Sequence, residues 1–141
     1  MRMRLIFYIL SLCITISVHA QNCCEFEFVK GKPIERISDE YKLLKVSVDK
    51  ECCRNYGSGL MKIMEVLSDS IELNTNEERI IKIMGMPDTY ASDEHPIEHH
   101  FTQLGKNEKI LIYYWRGMHD FLYFVLLNNL LVSKHWYYAL D

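Results

Sequence analysis

The chain is poor in the features that several function classes require. It has no excess of positive charge: 16 Lys+Arg stand against 19 Asp+Glu, a net charge of -3. Nucleic-acid binders carry basic surfaces, so this balance excludes that class of partner. Glycines are few and scattered, and only Gly57-Ser58-Gly59 brings two close together. No Lys-Ser/Thr pair follows it, so the chain has no phosphate-cradling loop. There is no Gly-x-Ser-x-Gly turn to expose a nucleophilic serine. There is no Cys-x-x-Cys pair for thiol–disulfide exchange either. Beyond residue 20 no stretch is long and apolar enough to cross a bilayer, which takes roughly 20 residues. The 25% of charged residues is ordinary for a folded chain, and 141 residues suit one domain.

The first twenty residues differ from the rest. Arg2 and Arg4 precede an uncharged apolar run, Leu5 to Val18, and Val18-His19-Ala20 closes on a small residue. A basic start, a short apolar middle and a small-residue exit follow the secretory signal peptide pattern, with an uncleaved membrane anchor as the alternative. Cleavage near Ala20 leaves 121 residues with 14 Lys+Arg against 19 Asp+Glu, a net charge of -5. Asn22 before Cys23 is a poor lipid-attachment context. The expected product is exported and soluble, in the periplasm or outside the cell, with no transmembrane segment.

Cys13 leaves with the signal, and the other four cysteines form two adjacent pairs, Cys23-Cys24 and Cys52-Cys53. An even number in an exported chain reads as disulfides. Neighbouring cysteines make a strained ring, so the expectation is cross-pairing between the two sites, with the connectivity open. One such link closes a loop of about 30 residues and contributes roughly 3.5 kcal/mol on the loop-entropy argument. A four-thiolate zinc site needs wider spacing within each pair.

Alternation in Cys24–Val29 predicts a short strand, and Ile34–Val48 fits either helix or strand. From about Asp49 to Ser68, Cys53, Tyr56, Leu60, Ile63 or Met64, and Leu67 recur at helical spacing. Thr75-Asn76-Glu77-Glu78 predicts a capping box with Thr75 as N-cap. Ile80, Ile81 and Met84 give the next helix its apolar face, and Gly85 stops it in a left-handed cap before Pro87. Tyr90–Pro96 is polar and reads as a loop. Strands follow at Ile97–Leu104, Lys109–Arg116, Phe121–Leu127 and Leu130–Leu140. Asn128-Asn129 forms a two-residue hairpin turn between the last two.

The strand region is dense in aromatics, with nine between Tyr113 and Tyr138. Alternation sends about half to each face. One face covers the helices, and the other is a candidate partner surface. The expected partner residues are Tyr113, Trp115, Tyr123 and Trp136, with His119 at an edge. Catalytic groups are not apparent. The acidic pairs Asp39-Glu40, Glu77-Glu78 and Asp93-Glu94 are adjacent residues at caps and loops, which is not a convergent acid–base site. His95, His99 and His100 offer zinc or copper ligands beside Asp93, Glu94 and Glu98. Pro96 opposes a helix there, and strand neighbours His99 and His100 point apart, so a solvated loop is the better reading.

The segment Thr75-Asn76-Glu77-Glu78-Arg79-Ile80-Ile81-Lys82-Ile83-Met84-Gly85-Met86-Pro87-Asp88 resembles the helix-then-Gly-x-Pro-Asp signature of the SmpA/OmlA (BamE-like) family. Ile112–Trp115, Tyr123–Leu127 and Leu130–Val132 resemble its sheet, with Asn128-Asn129 as its Asn-rich hairpin. The resemblance spans about Gly59 to Tyr138. It implies two helices packed on one face of a three-stranded antiparallel sheet. The chain departs from the family by its cysteine-bearing N-terminal extension. The expected fold is α+β, two helices packed on an antiparallel sheet of three to four strands, with that extension tied by disulfides. The chain then divides into a signal peptide (1–20), an extension carrying the paired cysteines and the start of the first helix (21–58), and a helix–helix–sheet unit (59–141) that folds with it. Members of that family are envelope proteins that support outer-membrane assembly or contact partners without catalysis. A protein partner, peripheral association with outer-membrane components and no cofactor are therefore expected. The β-lactamase-inhibitor proteins have a similar architecture, so a periplasmic inhibitor or immunity protein is the alternative. A metal-dependent enzyme is the second alternative.

Overall fold

A computed structural model describes residues 31–46, 59–91, 104–116 and 119–139. The chain is α+β. Among the described residues three helices come first, α1 (Ile34–Val46), α2 (Gly59–Asp69) and α3 (Glu77–Met84). Four strands follow, β1 (Thr89–Ala91), β2 (Glu108–Arg116), β3 (Asp120–Leu127) and β4 (Leu130–Tyr137). The sheet is antiparallel throughout and its order follows the sequence, β1-β2-β3-β4. The proposed signal peptide, all five cysteines, the Cys24–Val29 strand and the His95/His99/His100 group lie outside the described residues. So does Ile97–Gln103 of the strand expected to end at Leu104.

The open segment at Ile34 resolves as helix α1, ending at Val46. In α2 the predicted stripe is present from Leu60 onward: Leu60, Ile63, Met64 and Leu67 are all buried. In α3 the buried set is Ile80, Ile83 and Met84, while Ile81 is only half-buried. The helix starts one residue later than expected. Asn76, not Thr75, is the N-cap, and its Oδ1 accepts from the Arg79 N–H at 2.9 Å. Thr75 is committed elsewhere: its carbonyl accepts from the Leu131 N–H, while Asn76 bridges Leu130. The loop between α2 and α3 thus runs beside the start of β4, which sets where the helix can begin.

Gly85 terminates α3 as expected, in a more demanding conformation. Its φ of 74° comes with ψ of -176°, a region essentially reserved for glycine. The chain then enters the sheet sooner than its polar composition suggests. Asp88 donates its N–H to the Ile112 carbonyl and accepts the Tyr114 N–H on its carboxylate. Thr89–Ala91 is therefore a strand on the edge of β2, where the sequence reads as loop from Tyr90. The Asn128-Asn129 turn has φ of 52° and 65°. Two positive values make the primed turn whose twist matches a hairpin.

The sheet is buried on both faces. Toward the helices, Leu111, Tyr113, Trp115, Leu122, Phe124, Leu126 and Leu131 meet Tyr41, Ile63, Met64, Leu67, Ile80 and Met84. On the opposite face a smaller cluster joins Ala91, Ile110, Ile112 and Phe121, ringed by half-buried Leu104, Tyr114, Tyr123, Val125 and Tyr137. Asp120 is fully buried at the start of β3 and is paired with Arg116, and it also accepts the Ala139 N–H at 2.7 Å. That carboxylate fastens the end of β4 to the start of β3.

Candidate interaction surface

The register decides which aromatics can meet a partner. Tyr113 on β2 pairs with Leu122, and Trp115 lies two residues on, so both project toward the helices. Tyr113 is fully buried and Trp115 is 1% exposed. This corrects the expectation that they form a partner surface: both are core residues. Trp136 shares their face and is half-buried against the same core. Tyr123 belongs to the other face. His119 is exposed at the turn before β3. The five expected residues therefore do not form one surface.

Tyr113 instead closes a polar knot at the turn after α3. Its hydroxyl donates to the Gly85 carbonyl at 3.1 Å. The Lys45 ammonium lies 4.9 Å from its ring centre and 3.0 Å from an Asp88 oxygen. Burial, with Tyr90 and Asp88 nearby, pushes the Tyr113 phenol far above its ordinary range. Burial does the same for Tyr41, with Asp88 and Tyr113 adding to it. Both stay neutral hydroxyls through the physiological range, which suits structure and not proton transfer. No group of three His, Cys, Asp or Glu side chains fit to hold a metal occurs among the described residues.

The opposite face carries the aromatics nearer to solvent. Phe121 stacks on Tyr137 at 4.9 Å and meets Tyr114 edge-on at 5.7 Å. Tyr123 lies against the His135 ring at 5.2 Å. At the hairpin end this face turns aliphatic. Leu127 pairs directly with Leu130, and Val132 occupies the bulge where the β3–β4 register shifts. Leu127, Leu130 and Val132 are 40–43% exposed, and Leu73, in the loop running beside Leu131, is 59% exposed. Single exposed leucines are ordinary, whereas a contiguous apolar group with a polar rim marks a contact site. Around them lie Asn74, Asn76, Asn128 and Asn129, all exposed, together with Glu108, which pairs with Leu127, and the Glu77–Lys109 ion pair.

These aliphatic residues were not among those expected. The signal for them lies in Leu126-Leu127-Asn128-Asn129-Leu130-Leu131-Val132, which is apolar at both parities. A strand with one wet face alternates, so a doubled apolar pattern at a hairpin tip means that the outward residues are apolar too. Leu126 and Leu131 fill the core, leaving Leu127, Leu130 and Val132 outside.

No protein-family model, curated protein or solved structure matches this chain. The functional reading therefore rests on the residues.

Proposed function

We propose that the chain is an exported, non-catalytic interaction module of the bacterial cell envelope, BamE-like in character. It meets a protein partner through the hairpin-end surface of Leu73, Leu127, Leu130 and Val132. The observation that supports this is their exposure at the hairpin end, where Leu127 pairs directly with Leu130. Such a surface suits a protein patch with an apolar centre and a polar border. No described helix is long and apolar enough to cross a membrane; the proposed envelope role is a peripheral association with outer-membrane components.

Photo-cross-linking in intact cells tests this reading. A cross-linker at Leu130 is expected to capture an outer-membrane assembly component. One at Glu65, exposed on α2, is expected to capture none. With the cross-linker moved to Val132, Leu127→Ser with Leu130→Ser is expected to abolish capture while the protein stays folded by circular dichroism. No adduct at Leu130, or equal adducts at Leu130 and Glu65, would refute the surface. An adduct with a secreted toxin or hydrolase would keep the surface and replace the assembly role with inhibition.

A further inference from the structure

Helix α1 is attached to the fold differently from its neighbours. Only Ser38 and Tyr41 of its 13 residues are buried, against six of 11 in α2. Ile34, Ile37 and Leu44 add half-buried contacts. Its grip on α3 is mainly polar. Ser38, Lys42 and Lys45, spaced four and three residues apart on one stripe, each reach main-chain oxygens at the α3 C-terminus. Ser38 Oγ donates to the Ile83 carbonyl at 2.6 Å, Lys42 Nζ to Lys82 at 2.8 Å, and Lys45 Nζ to Met86 at 3.2 Å. Final-turn carbonyls have no partner within their own helix, and water could take these places if α1 moved away. The Lys42 and Lys45 bonds lie at the exposed surface, where water competes for both partners and the net gain is small.

Tyr41 acts both ways: its ring packs in the core, and its hydroxyl adds to the cost of seating α1. Tyr41 is fully buried, yet its hydroxyl has no hydrogen-bond partner among the described residues. That penalty exists only while α1 is seated, because an undocked Tyr41 would be hydrated.

We infer that α1 is a detachable clasp, opening as a unit from the α3 corner while α2, α3 and the sheet remain folded. The device is independent of the hairpin-end surface. Opening uncovers Ile83, Met84 and the last carbonyls of α3, an apolar groove with hydrogen-bond acceptors at one end. Local opening of this kind is expected where apolar contact is sparse and bonds are replaceable by water.

Amide hydrogen exchange on the full exported chain under native conditions tests the clasp. Amides of α1 are expected to exchange through an opening at least tenfold more frequent than those of β2 and β3. Tyr41→Phe keeps the ring and removes the orphan hydroxyl, so α1 exchange should slow by roughly tenfold with β2 and β3 unchanged. Lys42→Met with Lys45→Met should speed α1 exchange severalfold, again alone. If α1 exchanges at the rate of β2 and β3, the clasp does not exist. It is equally overturned if Tyr41→Phe shifts every element together or leaves α1 unaffected.

Discussion

Lys134 offers the sharpest test of how helices and sheet are joined. It lies on β4 opposite Phe124, on the face that covers the helices. Its ammonium donates to the Ser68 carbonyl at 2.5 Å and to the Ile71 carbonyl at 3.0 Å. Those oxygens sit at and just beyond the end of α2, which has no basic residue in its own last turn. A cation near a helix C-terminus complements the partial negative charge there, so β4 supplies what α2 lacks. Lys134→Met keeps the length of the side chain and removes both bonds. Hydrogen bonds to a charged group contribute about 1.5–3 kcal/mol each, and two sharing one half-exposed ammonium are taken together as about 3 kcal/mol. The apolar replacement recovers about 1 kcal/mol through burial, leaving a net loss of about 2 kcal/mol. For a chain of this size that lowers the melting temperature by about 8 °C. Calorimetry on the parent, Lys134→Met and the exposed control Lys106→Met measures it, with the control within about 1 °C. A Lys134→Met protein that melts with the parent, or above it, would show that water caps α2 equally well.

Three further perturbations probe other parts of the fold. Asp120→Asn places an amide N–H₂ against one of two donors, Arg116 or the Ala139 N–H, and should cost about 2–4 kcal/mol in urea unfolding; a loss below 1 kcal/mol would mean that the carboxylate is not anchoring β4. Gly85→Ala should cost about 1–3 kcal/mol from backbone strain alone, because its Cβ would meet only Lys42 Cγ at an ordinary 3.5 Å; an unchanged midpoint would refute the assigned conformation. Raised phenol pKa values at Tyr41 and Tyr113 mean that above pH 10 the folded state holds protons that the unfolded state has released. Their contribution to stability should thus be level below about pH 10 and fall as pH rises beyond it. Tyr113→Phe should flatten that fall, and unfolding midpoints that stay constant from pH 9 to 12 would overturn the account.

How far the sequence speaks for the fold depends on whether a signal is local. The end of α3 and the β3–β4 turn are read correctly because Gly85, Asn128 and Asn129 require backbone conformations that few other residues adopt. Helix α1 resists reading because its buried apolar set is small and its contact with α3 is mainly polar. A pattern that buries Ser38 and Tyr41 and aims lysines at another helix's carbonyls leaves little periodic signal. The N-cap of α3 moves from Thr75 to Asn76 for a tertiary reason, the pairing of the preceding loop with β4. The same limit governs the candidate surface. Alternation divides the aromatics of β2 into two sets but does not say which set the helices cover, and the wrong parity turns core Tyr113 and Trp115 into surface residues. The doubled apolar pattern around Asn128-Asn129 carries more information than the aromatic count. At most positions an outward aromatic can be buried by its neighbours, as Phe121 is, at 2% exposure. At a hairpin tip fewer neighbours remain to cover it, so Leu127 and Leu130 stay exposed. An apolar pair flanking a turn at both parities is therefore a better guide to a contact surface in such a sheet than the aromatic residues at its centre.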